Sequence, residues 1–263
     1  MLPRDELLKG VEHRETIAQT LDRAEQAMKT WEVVCTDFLA PPEWAETQRI
    51  FQRLTDIHCY SWGGYPQAER QRLAIARAEL PLEAETLADQ IPLTAIEIAG
   101  NFLFDPANHR DFLGAILGTG IVRDKVGDII VLGERGAQAI ILPEMVEFLQ
   151  MSLVQVRSVP VKTQVIPLSE LKIREPKKKE MVTTEASLRL DAIASAGFGL
   201  SRSKMVDMIT SGDVRVNWKE ITSTSHNVKT GDLIAIRGKG RVEVGEVSVT
   251  KKERYRVQLT KLV

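Results

Sequence analysis

Between Leu190 and Asn217 the side-chain rhythm changes from helical to extended with almost no chain to spare, and few folds accommodate that. Leu190, Ile193, Ala194 and Gly197 fall at i, i+3, i+4 and i+7, which puts one apolar stripe on a helix. Gly197 is read as the left-handed residue that ends this helix. Ser201 then suits the N-cap of a second helix, with Leu200 stapling onto Met205. Met205, Val206 and Ile209 supply its apolar face, and Gly212 stops it. Val214-Arg215-Val216-Asn217 alternates as a half-buried strand does. Further strand patterns follow at 233–236, 241–249 and 255–259, the first entered through the Gly231-Asp232 turn. Two short helices against an antiparallel sheet are expected.

The second helix opens on Arg202, Ser203 and Lys204. Cations at a helix N-terminus oppose the macrodipole, by a few tenths to about 1 kcal/mol each. A bound phosphate reverses that sign, because the first-turn N–H groups, the dipole and both cations all attract it. Arg189 on the first helix, and Arg215, Asn217, Lys219, Arg237, Lys239 and Arg241 on the strand side, extend the expected RNA-binding track.

Charge along the chain agrees. Residues 172–263 hold 19 Lys and Arg against 11 Asp and Glu, a net +8, whereas the remaining 171 residues carry a net −9. One end is built to meet a polyanion. With 43% apolar and 27% charged residues the chain reads as globular. It has no apolar run long enough to span a membrane and no secretory leader pattern. Cys35 and Cys59 are too few for a disulfide framework, so a cytoplasmic location is expected.

Upstream, residues 1–80 read as a small N-terminal α/β unit. It has helices near 11–28 and 43–54, strand chemistry at 32–35, and strands at 57–62 and 72–77 around Gly63-Gly64-Tyr65-Pro66. Residues 81–170 read as β-α-β-β-α-β, with strands at 94–99, 128–132, 138–142 and 159–166. A helix at 109–117 closes at Gly118, and a second is opened by Pro143. That order favours a ferredoxin-like sandwich, similar to an RNA-recognition fold. Its strands TAIEIA and QAIIL lack the aromatics that stack on bases. Residues 171–186 form a basic linker including Lys177, Lys178 and Lys179, and residues 187–263 the RNA-binding domain. The expected class is α+β in three folded parts.

Arg189-Leu190-Asp191, Ser201-Arg202, Gly212-Asp213-Val214-Arg215-Val216-Asn217 and Gly231-Asp232 together resemble the S-four domain, the RNA-binding fold named for a ribosomal protein. Many members carry Asn-Gly in the hairpin where this chain has Asn217-Trp218-Lys219. That departure, with GGYPQAERQR from Gly63 and HRDFLGAILGTGIVRDKVGDIIV from His109, is similar to the YlmH-like family, sometimes labelled a photosystem II S-four domain protein. The resemblance implies an α/β unit, a middle domain like an RNA-recognition fold and a C-terminal S-four domain. It also implies association with the ribosome, where related proteins handle stalled peptidyl-tRNA on the large subunit.

Competing readings are weaker. His109-Arg110-Asp111 is similar to a kinase catalytic loop but lacks its Asn, since position 116 is Ile116. It reads better as a helix N-terminus with local hydrogen bonds. His109, Arg110, Arg123 and Lys125 are retained as a secondary RNA contact. His13, His58, His109 and His226 have no metal-ligand spacing, and no metal, cofactor or catalytic residue is expected. A methyltransferase would need a glycine-rich cofactor loop, and a pseudouridine synthase a longer β-rich domain. RNA-modifying enzyme and photosystem assembly factor therefore stand as alternatives. The leading expectation is a monomeric, non-enzymatic protein that binds ribosomal RNA or tRNA on the ribosome, on the large subunit, without membrane insertion.

Overall fold

The computed structural model describes residues 2–80, 90–173, 178–236 and 238–262. The chain divides into two compact units, Met1–Ile173 and Arg174–Val263. Among the described residues no helix is long and apolar enough to cross a membrane.

In the first unit, α1 (Arg4–Leu7) precedes α2 (Arg14–Thr30), which buries Ile17, Leu21, Ala24 and Ala27 at helical spacing. Strand β1 (Val34–Cys35) leads to α3 (Pro41–Phe51). The prolines at its start occupy the turn where a missing N–H costs nothing. With β2 (Ile57–Trp62) and β3 (Arg72–Arg77) the first strand forms an antiparallel sheet ordered β1-β3-β2. Next come β4 (Thr94–Ala99), α4 (His109–Gly118), β5 (Val126–Val131) and β6 (Gly136–Ile141). Pro143–Met145 makes a 3-10 turn before α5 (Val146–Ser152). A small hairpin, β7 (Gln155–Val156) with β8 (Val159–Pro160), precedes β9 (Lys162–Ile166). Four of these strands form a sheet ordered β5-β6-β4-β9, antiparallel at every junction. Phe102 and Phe112 meet edge to face in its core, ring centres 5.2 Å apart.

The segments 1–80 and 81–170, read as separate units from sequence, are stitched together. Buried Arg70 donates to the carbonyls of Val126 (3.0 Å) and Phe38 (2.9 Å). Asp128 accepts from the Tyr65 hydroxyl (2.8 Å) and from the N–H groups of Glu69 (2.7 Å) and Arg70 (3.1 Å). Phe38 packs with Ile140 and Leu142 in a core shared by both segments. Periodicity reads local faces and is blind to such long-range polar ties.

The second unit opens with β10 (Lys178–Glu185), then α6 (Leu190–Phe198) and α7 (Arg202–Thr210). The strands β11 (Val214–Val216), β12 (Lys219–Glu220), β13 (Leu233–Ile236), β14 (Gly240–Val249) and β15 (Tyr255–Leu262) follow. They build one sheet ordered β10-β15-β14-β13-β11-β12. Leu190, Ile193, Met205 and Ile209 from the helices share a core with Val214, Ile234, Val242, Val244, Val257 and Leu259 from the sheet.

Two expectations are corrected here. The stretch read as a basic linker is a strand from 178 to 185, paired with β15 along its whole length. Alternate residues such as Met181 pack on the core, and the lysines sit on an edge strand, where charge discourages further pairing. Lys177 and the rest of 174–177 lie outside the described residues. The helix-ending glycine is Gly199, at φ +67°, not Gly197. Gly197 lies inside α6, where a Cβ would stand 2.8 Å from a Val242 methyl. That glycine serves close approach of helix and strand.

Candidate nucleic-acid interface

The start of α6 carries a charge cluster centred on Asp191. Its carboxylate is 6% exposed and is gripped by Arg189, with Nε 3.0 Å from Oδ1 and Nη2 3.2 Å from Oδ2. Arg202, from the first turn of α7, places Nε 3.3 Å from Oδ2. The Ala192 N–H adds a bond of 3.0 Å to Oδ1. Burial works to raise the Asp191 pKa, but the hydrogen bonds from Arg189 and Arg202, with their charges, outweigh it and hold the carboxyl below its ordinary value. One buried anion thus yokes two guanidinium groups that remain 40% and 57% exposed.

Ser201 caps α7 from an extended backbone, its Oγ accepting the Lys204 N–H at 3.4 Å. Ser201, Arg202, Ser203 and Lys204 are all exposed, and no acidic residue occupies the first turn. The positive end of the helix therefore faces solvent with its cations beside it, which suits a phosphate oxygen.

The strand-side candidates divide. Arg215 is exposed between buried Val214 and Val216, so it projects from the sheet face opposite the helices. Its register partner on β13 is Ala235, whose partner on β14 is Arg241. Asn217 and Trp218 turn the β11–β12 hairpin with φ of 48° and 68°, the positive values a two-residue hairpin turn demands. Asn217, expected to contact RNA, is exposed and also bonds within the fold. Its Nδ2 donates to buried Asp232 at 2.9 Å, and its Oδ1 accepts the Leu233 N–H at 2.9 Å. Asn217 and the Gly231-Asp232 turn thus lock hairpin to turn. The Trp218 ring centre lies 5.8 Å from the Arg241 guanidinium. Lys219 and Lys239 are exposed at the hairpin and the β13–β14 turn, while Arg237 lies outside the described residues.

The secondary cluster is mostly structural. Asn108 caps α4, its Oδ1 accepting the Arg110 N–H at 2.8 Å, and Asp111 returns a bond to the Asn108 N–H at 2.8 Å. His109-Arg110-Asp111 is a helix start, as expected against the kinase reading. Desolvation and the charge of Arg123 push the His109 imidazole below its ordinary value. Arg123 bonds the carbonyls of Val126 and Gly127, and burial beside Arg70 pushes its guanidinium down to about 10. Lys125 is paired with Asp37 at 2.8 Å. Arg110 is exposed. Sequence reasoning passed over Asp191 as an organiser and Trp218 as a ring beside a cation. The Arg-Leu-Asp triplet was the available signal for the first.

Fold and site together define a protein with a C-terminal S4-type RNA-binding domain, and residues 188–234 match the family model of the S4 domain. Residues 12–80 match the model described as "YlmH, N-terminal", and 88–170 the one described as "Putative RNA-binding domain in YlmH". Ribosome-associated protein quality control protein P2 of Bacillus subtilis is 33% identical over 250 residues, covering 94% of each chain. The chain belongs to the YlmH family. The solved structure of cell division protein ylmH from Streptococcus pneumoniae shares its fold, with a TM-score of 0.53 at 23% identity over 63% of this chain and 96% of that one.

Proposed function

We propose that this protein is a non-enzymatic, monomeric factor that binds ribosomal RNA or tRNA on the large ribosomal subunit in the cytoplasm and acts on stalled complexes. The observation that carries this is the Asp191 clamp, which holds Arg189 and Arg202 beside the exposed, Ser201-capped helix end. Such an arrangement reads phosphate and shape. The ribosome-associated relative supports the location, and the second unit's net positive charge supports a polyanionic partner. The strand order β5-β6-β4-β9 supports reading the middle segment as a ferredoxin-like sandwich. Such a fold with no stacking aromatics on its central strands suits a contact other than base reading.

Arg202→Ala and Lys204→Ala are expected each to lower affinity for all structured RNAs alike, and to reduce the salt slope by about one unit per lost contact. RNA titrations at several salt concentrations measure this. Unchanged affinity in both variants would overturn the helix-end site, and a methylated base or pseudouridine in incubated RNA would overturn the non-enzymatic part.

A further inference from the structure

The register of the second unit's sheet assembles a feature that no linear reading contains. Arg215 on β11 pairs with Ala235 on β13, Ala235 with Arg241 on β14, Arg241 with Leu262 on β15, and Leu262 with Lys178 on β10. Cross-strand partners share a face, and Arg215 stands on the face away from the helices. Three cations therefore lie in one row across five strands, with Ala235 and Leu262 as a low, uncharged floor between them. The neighbouring row on the same face runs Leu233, Glu243, Thr260, Glu180 and carries the opposite sign. On its other side Arg215 faces Glu220 of β12, so the row ends in a carboxylate beyond β11.

We propose that this outward face is a second RNA-contact surface, seating the sugar-phosphate backbone of an unpaired strand along the cation row. The proposal rests on the RNA-binding reading above and adds a face to it. Strands are spaced about 4.8 Å apart, so successive cations stand about 10 Å apart along the row. A single strand laid along the row brings its phosphates past each cation in turn. The acidic row confines the backbone to that line. A duplex backbone winds away from such a line after a phosphate or two, which is why the occupant is unpaired. Trp218 is half-buried beside Arg241 and offers a stacking face for a base. A tryptophan held at φ 68° in a position that favours glycine is a strain that a presented ring rationalises.

The test uses the whole chain and a short oligouridylate. The triple variant Arg215→Gln, Arg241→Gln, Lys178→Gln should lower the magnitude of the log–log salt slope by about 2, at about 0.7 per phosphate released. Its melting is followed beside the parent's as the control for folding. Trp218 should crosslink to 4-thiouridine placed in the oligomer. The helix-end variant Arg202→Gln, Lys204→Gln is measured in parallel. If it loses slope while the triple variant keeps the parent slope, the helix-end site stands and the sheet face is wrong. If neither loses slope, both readings fail. Loss of slope on duplex RNA but not on oligouridylate would overturn the unpaired occupant. Should the triple variant unfold, crosslinks of the parent confined to residues 201–204 would overturn the sheet face, and crosslinks at 215–220 or 238–249 would sustain it.

Discussion

At the scale of single residues, Asp191 decides how the site behaves. Without it, Arg189 and Arg202 would be two repelling cations near an electropositive helix end. With it, both are oriented and their mutual repulsion is relieved. Because both arginines are substantially exposed, the pair energies are modest, and Asp191→Asn is expected to cost about 1 kcal/mol at neutral pH. The pH dependence has a definite sign. The Asp191 carboxyl is held below its ordinary value, so its stabilisation is complete above about pH 4 and disappears as pH falls through the folded-state value. Urea melts of parent and Asp191→Asn should therefore differ at pH 7, and the difference should narrow as pH falls below about 4. A constant difference across that range would mean that the carboxylate is not the source. The Arg-Leu-Asp spelling was visible in the sequence, but its pairing with Arg202 was not, because that contact depends on how α6 and α7 pack. The same limit applied to Asn217, whose amide bonds Asp232 across the fold.

At the scale of elements, strands with strong apolar signatures were legible: 57–62, 72–77, 94–99 and 233–236 form where alternation or continuous apolar runs demand them. The strand β10 was not, since Lys178, Lys179 and Glu180 look like linker chemistry and only pairing with β15 reveals their role. That strand defines where the RNA-binding unit starts. A fragment of residues 174–263 retains β10, whereas one of 187–263 strips eight register pairs from β15 and removes Met181 from the core. The shorter fragment should lose at least about 2 kcal/mol, from backbone hydrogen bonds worth about 1 kcal/mol each net and from lost apolar burial. It should also self-associate through the bared edge of β15. Equal urea midpoints for the two fragments would show that β10 is dispensable.

At the scale of the whole molecule, charge is partitioned: a net +8 over residues 172–263 against a net −9 over the rest. This was fully legible in the sequence, whereas the shared core of segments 1–80 and 81–170 was hidden, because Arg70, Asp128 and Phe38 make their ties across the chain. The basic unit attracts a polyanion and the acidic one does not, so the RNA contacts belong to the basic unit. Association with ribosomes should then be strongly salt-dependent. Arg189, Arg202 and Lys204 at the helix end, with Arg215, Arg241 and Lys178 on the sheet, make six cations. At about 0.7–0.9 per phosphate they give a log–log slope of about −4 to −5. Cosedimentation with separated ribosomal subunits across a salt series measures it, with the large subunit expected to carry the protein. A slope near zero would place the affinity in protein–protein contacts, and equal recovery with the small subunit would remove the large-subunit assignment. A slope near −2 to −3 would mean that one of the two cationic faces is idle on the ribosome, and the helix-end and sheet variants would identify which.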